Sequence, residues 1–360
     1  MYKTTIVKAP FIRRKAMLIS IVIANYNGED YLRTCLTSLL KSSITDYEII
    51  VIDNNSTDAS LEIAREFSKI DSRISILKNK VNIGVPASRN IAISHCRGEI
   101  VILLDNDTEV RKDSIEQLIK PLINDEEVGA AQALLIDFEN RRLVQMAGGH
   151  LIPQAIWLMG FYERSKYKDI KSKLGVTNII AISAALAVKK KVLDKIGGYD
   201  NLLYNYTDDL DFSWRIWIAG YRVVLSYESI VYHYTKSVAR RANIGSNKFD
   251  IYYHLAKNSF RSISKNYETA NVIKYLPISL FVNLSRAVLV LVRRGDFSAL
   301  FATIYSIWWS LKTVPNLIQA RAKTQKTRKF SDKEILERVF VKGSLLDIYN
   351  RNYRSSKLLW

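Results

Sequence analysis

Residues 100–107 read Ile-Val-Ile-Leu-Leu-Asp-Asn-Asp, five apolar side chains followed by two carboxylates separated by one asparagine. A run this short, rich in β-branched residues and cut off by polar ones, is the pattern of a strand buried on both faces whose last residues leave the core. Three comparable runs precede it, Leu18–Ala24, Glu48–Asp53 and Ile74–Leu77. Helical spacing fills the intervals: Tyr31, Leu32, Cys35, Leu36, Leu39 and Leu40 recur over 29–41, and Ala59, Ile63, Ala64 and Phe67 over 58–69. Alternation of this kind predicts an α/β fold with a mostly parallel sheet and helices on both faces. Such sheets bind ligands beyond the carboxyl ends of their strands. Here those ends carry Asn25-Tyr26-Asn27, Asp53-Asn54-Asn55 and Asp105-Asn106-Asp107.

The chain has 360 residues, 48% apolar and 24% charged, which excludes a disordered chain and a small disulfide scaffold. Its two cysteines, Cys35 and Cys96, fall in what read as helices, with no CxxC and no Cys/His cluster for zinc, and a reducing cytosol fits them. Lysine and arginine outnumber the acids 53 to 35, a balance that points to nucleic acid, an anionic membrane or phosphorylated ligands. The excess is unevenly placed. Residues 1–211 carry 28 basic and 27 acidic side chains, whereas residues 212–360 carry 25 and 8. The organisation expected is a basic arm over 1–16, a sheet domain over 17–240 with halves 17–125 and 126–240, and a basic helical region over 241–360. The apolar run 17–24 after the arm is too short for a signal peptide, leads into Asn25 without a small-residue cleavage site, and reads as a strand.

Segment 275–292, YLPISLFVNLSRAVLVLV, is just long enough to span a bilayer. Its apolar gain is nearly cancelled by Arg286, at about +3 kcal/mol, together with Asn283, Ser279 and Pro277, so insertion is close to neutral. Ser279, Asn283, Arg286 and Arg293 mark one polar stripe, and 297–311 places Phe297, Leu300, Phe301, Ile304, Trp308 and Leu311 on one face. Two amphipathic helices followed by Arg321, Lys323, Lys326, Arg328 and Lys329 have the composition of helices lying at the headgroups of an anionic membrane. A helical bundle packed on the sheet domain is the other reading.

Two acids one residue apart at a strand end form a site for a hard cation such as Mn²⁺ or Mg²⁺, usually shared with substrate phosphates. Acids at loop starts also commonly cap helices or solvate turns. Position favours the cation, because the pair sits on the rim where Asp53 emerges, as in a nucleoside diphosphate site.

In order and spacing, Ile21-Val22-Ile23-Ala24-Asn25-Tyr26-Asn27, Val51-Ile52-Asp53-Asn54-Asn55-Ser56-Thr57-Asp58, Asn82-Ile83-Gly84, Arg89-Asn90 and Leu103-Leu104-Asp105-Asn106-Asp107 resemble the motifs of the family 2 glycosyltransferases with the GT-A fold. Gly197-Gly198-Tyr199-Asp200, Tyr206-Thr207-Asp208-Asp209-Leu210-Asp211 and Gly220-Tyr221-Arg222-Val223 are similar to the acceptor-side block of rhamnosyltransferase-like, membrane-associated members. The resemblance covers about 17–235. It implies a Rossmann-like GT-A sheet followed by a membrane-associated helical region. It also implies an inverting, metal-dependent transfer of a hexosyl or deoxyhexosyl unit from a nucleoside diphosphate sugar to a glycan or lipid-linked acceptor in cell-surface polysaccharide assembly.

Residue by residue, the resemblance makes Asp53 an acceptor from the nucleotide base, with Ala24, Asn25 and Tyr26 lining the base pocket and Asn54, Arg89 and Asn106 beside it. Asp105 would meet the ribose, Asp107 and His233 the Mn²⁺ or Mg²⁺, and Asp209 would be the catalytic base. Asp208, Asp211, Trp214 and Arg215 would lie on the acceptor side, Asp208 standing where the family usually has Glu. No Gln-x-x-Arg-Trp follows, only Phe212-Ser213-Trp214-Arg215, so non-processive transfer is expected. The place of work expected is the cytoplasmic face of the cell membrane, peripheral or monotopic, with no nucleic acid partner. Two other readings stay open. A membrane-surface or nucleic-acid-binding protein without catalysis would use the basic half, although its long aliphatic runs do not make a compact basic groove. A nucleotidyltransferase would use the same carboxylates, although no Gly-rich phosphate loop lies near residue 25.

Overall fold

The computed structural model describes residues 5–7, 19–151, 158–160, 165–181, 184–234 and 248–339. Apart from 5–7, the basic arm lies outside these residues. The four expected strands form as β2 (Ile19–Asn25), β3 (Tyr47–Asp53), β4 (Ile74–Lys78) and β5 (Ile100–Asp105), after a short β1 (Thr5–Val7). Between them run α1 (Glu29–Leu40), α2 (Ser60–Ile70) and α3 (Val85–Ile93). Cys35 lies in α1, but Cys96 falls in the turn after α3 rather than within a helix, and both thiols are free.

The remaining strands are β6 (Thr108–Val110), β7 (Val128–Asp137), β8 (Val144–Met146), β9 (Gly149–Leu151), β10 (Leu158–Gly160), β11 (Ala185–Lys189) and β12 (Arg222–His233). The ten-stranded sheet runs β1-β4-β3-β2-β5-β11-β7-β12-β6, with β8 on β7, while β9 and β10 pair separately. Parallel pairing holds through β4-β3-β2-β5, as alternation of strand and helix requires. Beyond β5 the sheet is mixed, because β11 is antiparallel to both β5 and β7 while β12 is parallel to β7. Successive side chains on the central strands alternate between two cores. Val22, Ile50, Ile52, Val101 and Leu103 face one layer, and Ile21, Ile23, Ile49, Val51, Ile102 and Leu104 the other.

Helices α4 (Ser114–Asn124), α5 (Tyr167–Ile170), α6 (Lys190–Ile196) and α7 (Asp208–Ile218) complete the sheet domain. The C-terminal region is helical: α8 (Lys248–Asn266), α9 (Thr269–Arg294), α10 (Ser298–Lys312), α11 (Val314–Lys326) and α12 (Asp332–Val339). A buried ionic lattice docks α8 on the sheet domain. Lys265 Nζ lies 2.5 Å from Asp200 and 2.9 Å from Asp211, Arg261 Nε donates to Asp200 at 2.8 Å, and Asn266 donates to Asp211 at 2.9 Å.

Helices α9 and α10 are amphipathic in an inverted sense. Ser279 and Asn283 of α9 face inward with Ala287, and the Asn283 amide donates to the Ser279 carbonyl at 2.8 Å. Phe281 and Val292 point outward, 70% and 77% exposed. In α10, Ala299, Ala302, Thr303 and Ser306 are buried while Phe301, Ile304 and Leu311 are exposed. Small and hydroxylic residues allow close helix approach, and the apolar surface is left outside.

Candidate active site

The rim forecast at the strand ends forms, and asparagine amides tie it together. Asn25 ends β2, where its side-chain amide donates to Asp53 at 3.0 Å and to Ser60 at 2.9 Å, while its oxygen accepts from Asn106 at 2.7 Å. Asn27 and Asn55 then turn the chain through left-handed conformations (φ 49° and 65°), which asparagine tolerates better than most residues. Gly28 is needed for closeness: a Cβ there would run into the Asn106–Asn25 amide pair.

Several residues expected to touch nucleotide turn inward in this arrangement. Asp53 is fully buried and accepts from Asn25 and from the Ser56 amide at 3.1 Å. Asn54 is also buried, donating to Asn82 at 2.7 Å and accepting from Asn79 and from the Ile83 amide, both at 3.1 Å. These side chains, with Asn106, shape the loops, and a base would meet their backbone and the exposed Tyr26 ring. Ala24 is half-buried at the strand end.

The carboxylates at the end of β5 meet a histidine from far along the chain. β12 pairs with β6 so that His233 lies opposite Thr108. One ligand atom each from Asp105, Asp107 and His233 lies within 4.8 Å of the others, and His233 Nε2 is 3.3 Å from Asp107. The other imidazole nitrogen, Nδ1, is 2.8 Å from the Gln145 side-chain oxygen, the arrangement that fixes the tautomer of a metal-binding histidine. Two carboxylates and an imidazole so oriented fit a divalent ion. No local sequence signal singles out Gln145; only the β7–β8 hairpin brings it to His233.

Arg89 occupies the centre. Buried in α3, its guanidinium donates to Asp105 at 2.6 Å and to the Tyr199 hydroxyl at 3.4 Å, and lies 3.9 Å from Asp208. Burial opposes its charge, but Tyr199, Asp105, Asp208 and Asp209 outweigh it and hold the group firmly protonated. Arg89 thus joins Asp105 to Asp208 instead of reaching outward. Desolvation pushes the Asp105 carboxyl up against the pull of Arg89, and the Asp107 charge adds to the rise.

Asp208 and Asp209 begin α7, where the helix N-terminus favours carboxylates. Their surroundings differ. Asp208 is buried, and desolvation followed by the Asp209 charge pushes its carboxyl well above the usual range. Asp209 is half-buried. Asp211, Trp214 and Arg215 do not lie on an acceptor face. Asp211 is fully buried and accepts from Arg215 at 2.8 Å and Lys265 at 3.0 Å. Trp214 packs edge-on against Tyr267 with centroids 4.5 Å apart, and Arg215 is spent on Asp211 and the Ile196 carbonyl. The cause is α8, which covers the face of α7 that these residues share.

The family described as Glycosyl transferase family 2 matches residues 20–197. The poly(ribitol-phosphate) beta-glucosyltransferase of Bacillus spizizenii is 39% identical over 102 residues, 28% of this chain and 16% of that protein. An uncharacterized glycosyltransferase of Methanocaldococcus jannaschii is 31% identical over 199 residues, 54% of this chain and 63% of that protein. The matches thus span between 15% and 63% of the curated relatives' own lengths. Among solved structures, GalNAc-T7 with UDP, GalNAc and Mn²⁺ superposes with a TM-score of 0.63 at 17% identity, covering 93% of this chain and 58% of that one. At that identity the likeness concerns the GT-A fold alone.

Proposed function

We propose that the chain, whose residues 20–197 form a glycosyl transferase family 2 domain of GT-A fold, moves a sugar with inversion from a nucleoside diphosphate donor to a hydroxyl of a glycan or lipid-linked acceptor in cell-surface polysaccharide assembly. The observation that carries this reading is the convergence, around buried Arg89, of the Asp105–Asp107–His233 cluster and the Asp208–Asp209 pair. A divalent ion held by Asp107 and His233, with Asp105 beside them, would neutralise charge developing on the departing diphosphate. Carboxylate oxygens with one imidazole nitrogen favour Mn²⁺ over Mg²⁺. Asp209 accepts the proton of the acceptor hydroxyl as its oxygen attacks the anomeric carbon, and the bond to the phosphate oxygen breaks with its electron pair. Asp208, buried and with ionisation disfavoured, is unsuited to act as a nucleophile, which supports one displacement and therefore inversion.

The relative that acts on poly(ribitol-phosphate) supports a surface-polymer acceptor. The inverted helices support work at a membrane. Twelve of the exposed large apolar side chains, from Ile273 to Ile318, lie on α9–α11 or the turns between them, next to Arg293, Arg294 and Lys312. Apolar surface fringed by basic groups fits the headgroup region of an anionic cytoplasmic leaflet. A thermal-shift panel of nucleoside diphosphate sugars with Mn²⁺ tests the donor half: one donor should raise the midpoint with Mn²⁺ and lose that effect in EDTA. A metal-independent shift, or none with any donor, overturns it.

A further inference from the structure

The loop that presents Asp208 and Asp209 also begins a series of aromatic rings that the chemistry above does not use. Tyr204 stacks on His254 of α8 at 5.3 Å and 13°, and Tyr206 approaches the same imidazole at 6.4 Å. Tyr253 lies 5.0 Å from His254 and 5.2 Å from Tyr305 of α10, and Tyr305 stacks on Trp308 at 5.2 Å and 25°. The steps between neighbouring rings are on the scale of one sugar ring. Tyr204, Tyr305 and Trp308 remain 38%, 45% and 49% exposed, and Tyr206, His254 and Tyr253 between them are half-buried.

The same support holds this series and the catalytic pair. Lys257 of α8 donates to the Leu202 carbonyl at 2.8 Å, and its ammonium lies 5.3 Å from the Tyr253 ring. Asn258 donates to the Asn205 and Tyr206 carbonyls at 2.8 and 2.6 Å. The Tyr204 carbonyl accepts from the Val85 amide at 3.0 Å, which ties the loop to the donor side. Within the series, His254 Nδ1 is buried with no hydrogen-bond partner among the described residues. Burial, reinforced by Lys257, lowers the His254 pKa to about 4, so the imidazole is neutral and one of its nitrogens can accept.

A sugar ring has an apolar C–H face and a polar edge. Aromatic faces, with their negative quadrupole, take the C–H face, while phenol, indole and imidazole edges bond the hydroxyls. Hydrocarbon chains need no such edges. We propose that Tyr204, Tyr206, His254, Tyr253, Tyr305 and Trp308 form acceptor subsites, on which a glycan several sugars long lies with its terminal hydroxyl at Asp209. The proposal rests on the reading of Asp209 as the base and narrows the acceptor to an oligosaccharide chain.

The test uses the full chain and an array of linear glucose and N-acetylglucosamine oligosaccharides from monosaccharide to hexasaccharide. UDP affinity with Mn²⁺ and vesicle flotation are measured on the same samples. Binding should strengthen with oligosaccharide length, and Tyr253→Ala and Trp308→Ala should each weaken it about tenfold while UDP affinity stays unchanged; Tyr253→Ala, outside the exposed apolar surface of α9–α11, should leave flotation unchanged as well. Length-independent binding, no binding to any array member, or variants that keep glycan affinity while losing flotation would each overturn the proposal. The last result would place the rings in the membrane interface. Failure of the wild-type protein to bind UDP or any other nucleoside diphosphate with Mn²⁺ would refute the donor reading, and leaves the glycan comparison to decide the subsites by itself.

Discussion

At the scale of single residues, the proposed mechanism separates groups that would touch substrate from groups that hold those groups in place. Gln145 belongs to the second kind, since its only shown role is the 2.8 Å contact that orients His233. Gln145→Ala should lower Mn²⁺ affinity about 10- to 100-fold, as loss of a partner that orients a metal-binding histidine does, and Gln145→Glu should restore much of it. Titration of Mn²⁺ by paramagnetic water relaxation reads this directly, and unchanged affinity would remove Gln145 from the metal centre. Asp53 shows how local partners set the direction of a side chain at a strand end. Its position is where the sequence places it, but two partners, Asn25 and the Ser56 amide, turn its carboxylate inward.

At the scale of elements, α8 decides what the first turns of α7 can do. Asp211→Ala would leave Arg215 without its buried carboxylate and Lys265 with Asp200 alone, and loss of one partner of a buried pair costs about 3–5 kcal/mol. Its urea midpoint should fall accordingly, whereas that of Asp209→Asn should hardly move; equal midpoints for Asp211→Ala and wild type would contradict the docking role. Burial would raise the Asp200 and Asp211 carboxyls, but Lys265 with Arg261 or Arg215 outweighs it and holds both below their ordinary range. A carboxyl depressed by folding contributes stability that is fully present above its unfolded value, about 3.9, and lost as pH falls through the folded one. Near-UV circular dichroism from the α7–α8 contact should therefore hold from pH 7 to about pH 4 and fade only below; a midpoint above pH 5 would contradict it. The elements most legible in the sequence were those written in contiguous runs. β2, β3, β4 and β5 and their terminal carboxylates each announce themselves within a few residues. The antiparallel insertion of β11, the Gln145–His233 contact and the burial of Asp211, Trp214 and Arg215 depend on segments far apart in the chain. No local pattern records which face of α7 a later helix will cover.

At the scale of the whole molecule, a nearly neutral sheet domain is joined to a basic helical region whose apolar surface faces out. Each basic side chain near an anionic surface adds about 1 kcal/mol to apolar burial, so binding should depend on both lipid charge and salt. The full chain should float with anionic vesicles at low salt, less with neutral ones, and Phe281→Asp with Val292→Asp should lower recovery on both. Equal recovery on neutral and anionic vesicles would remove the electrostatic contribution, and failure to float on either would return α9–α11 to the soluble-bundle reading. On the proposed mechanism, donor binding rests on Asp107 and proton acceptance on Asp209. The most direct measurement is a paired titration and turnover assay, with the donor selected by thermal shift, on wild type, Asp107→Ala and Asp209→Asn with and without Mn²⁺. Asp107→Ala should lose Mn²⁺-dependent donor binding and turnover together. Asp209→Asn should keep donor affinity within a few-fold while turnover falls by about two to four orders of magnitude. Full turnover by Asp209→Asn, or donor binding by Asp107→Ala that matches wild type in Mn²⁺, would contradict it.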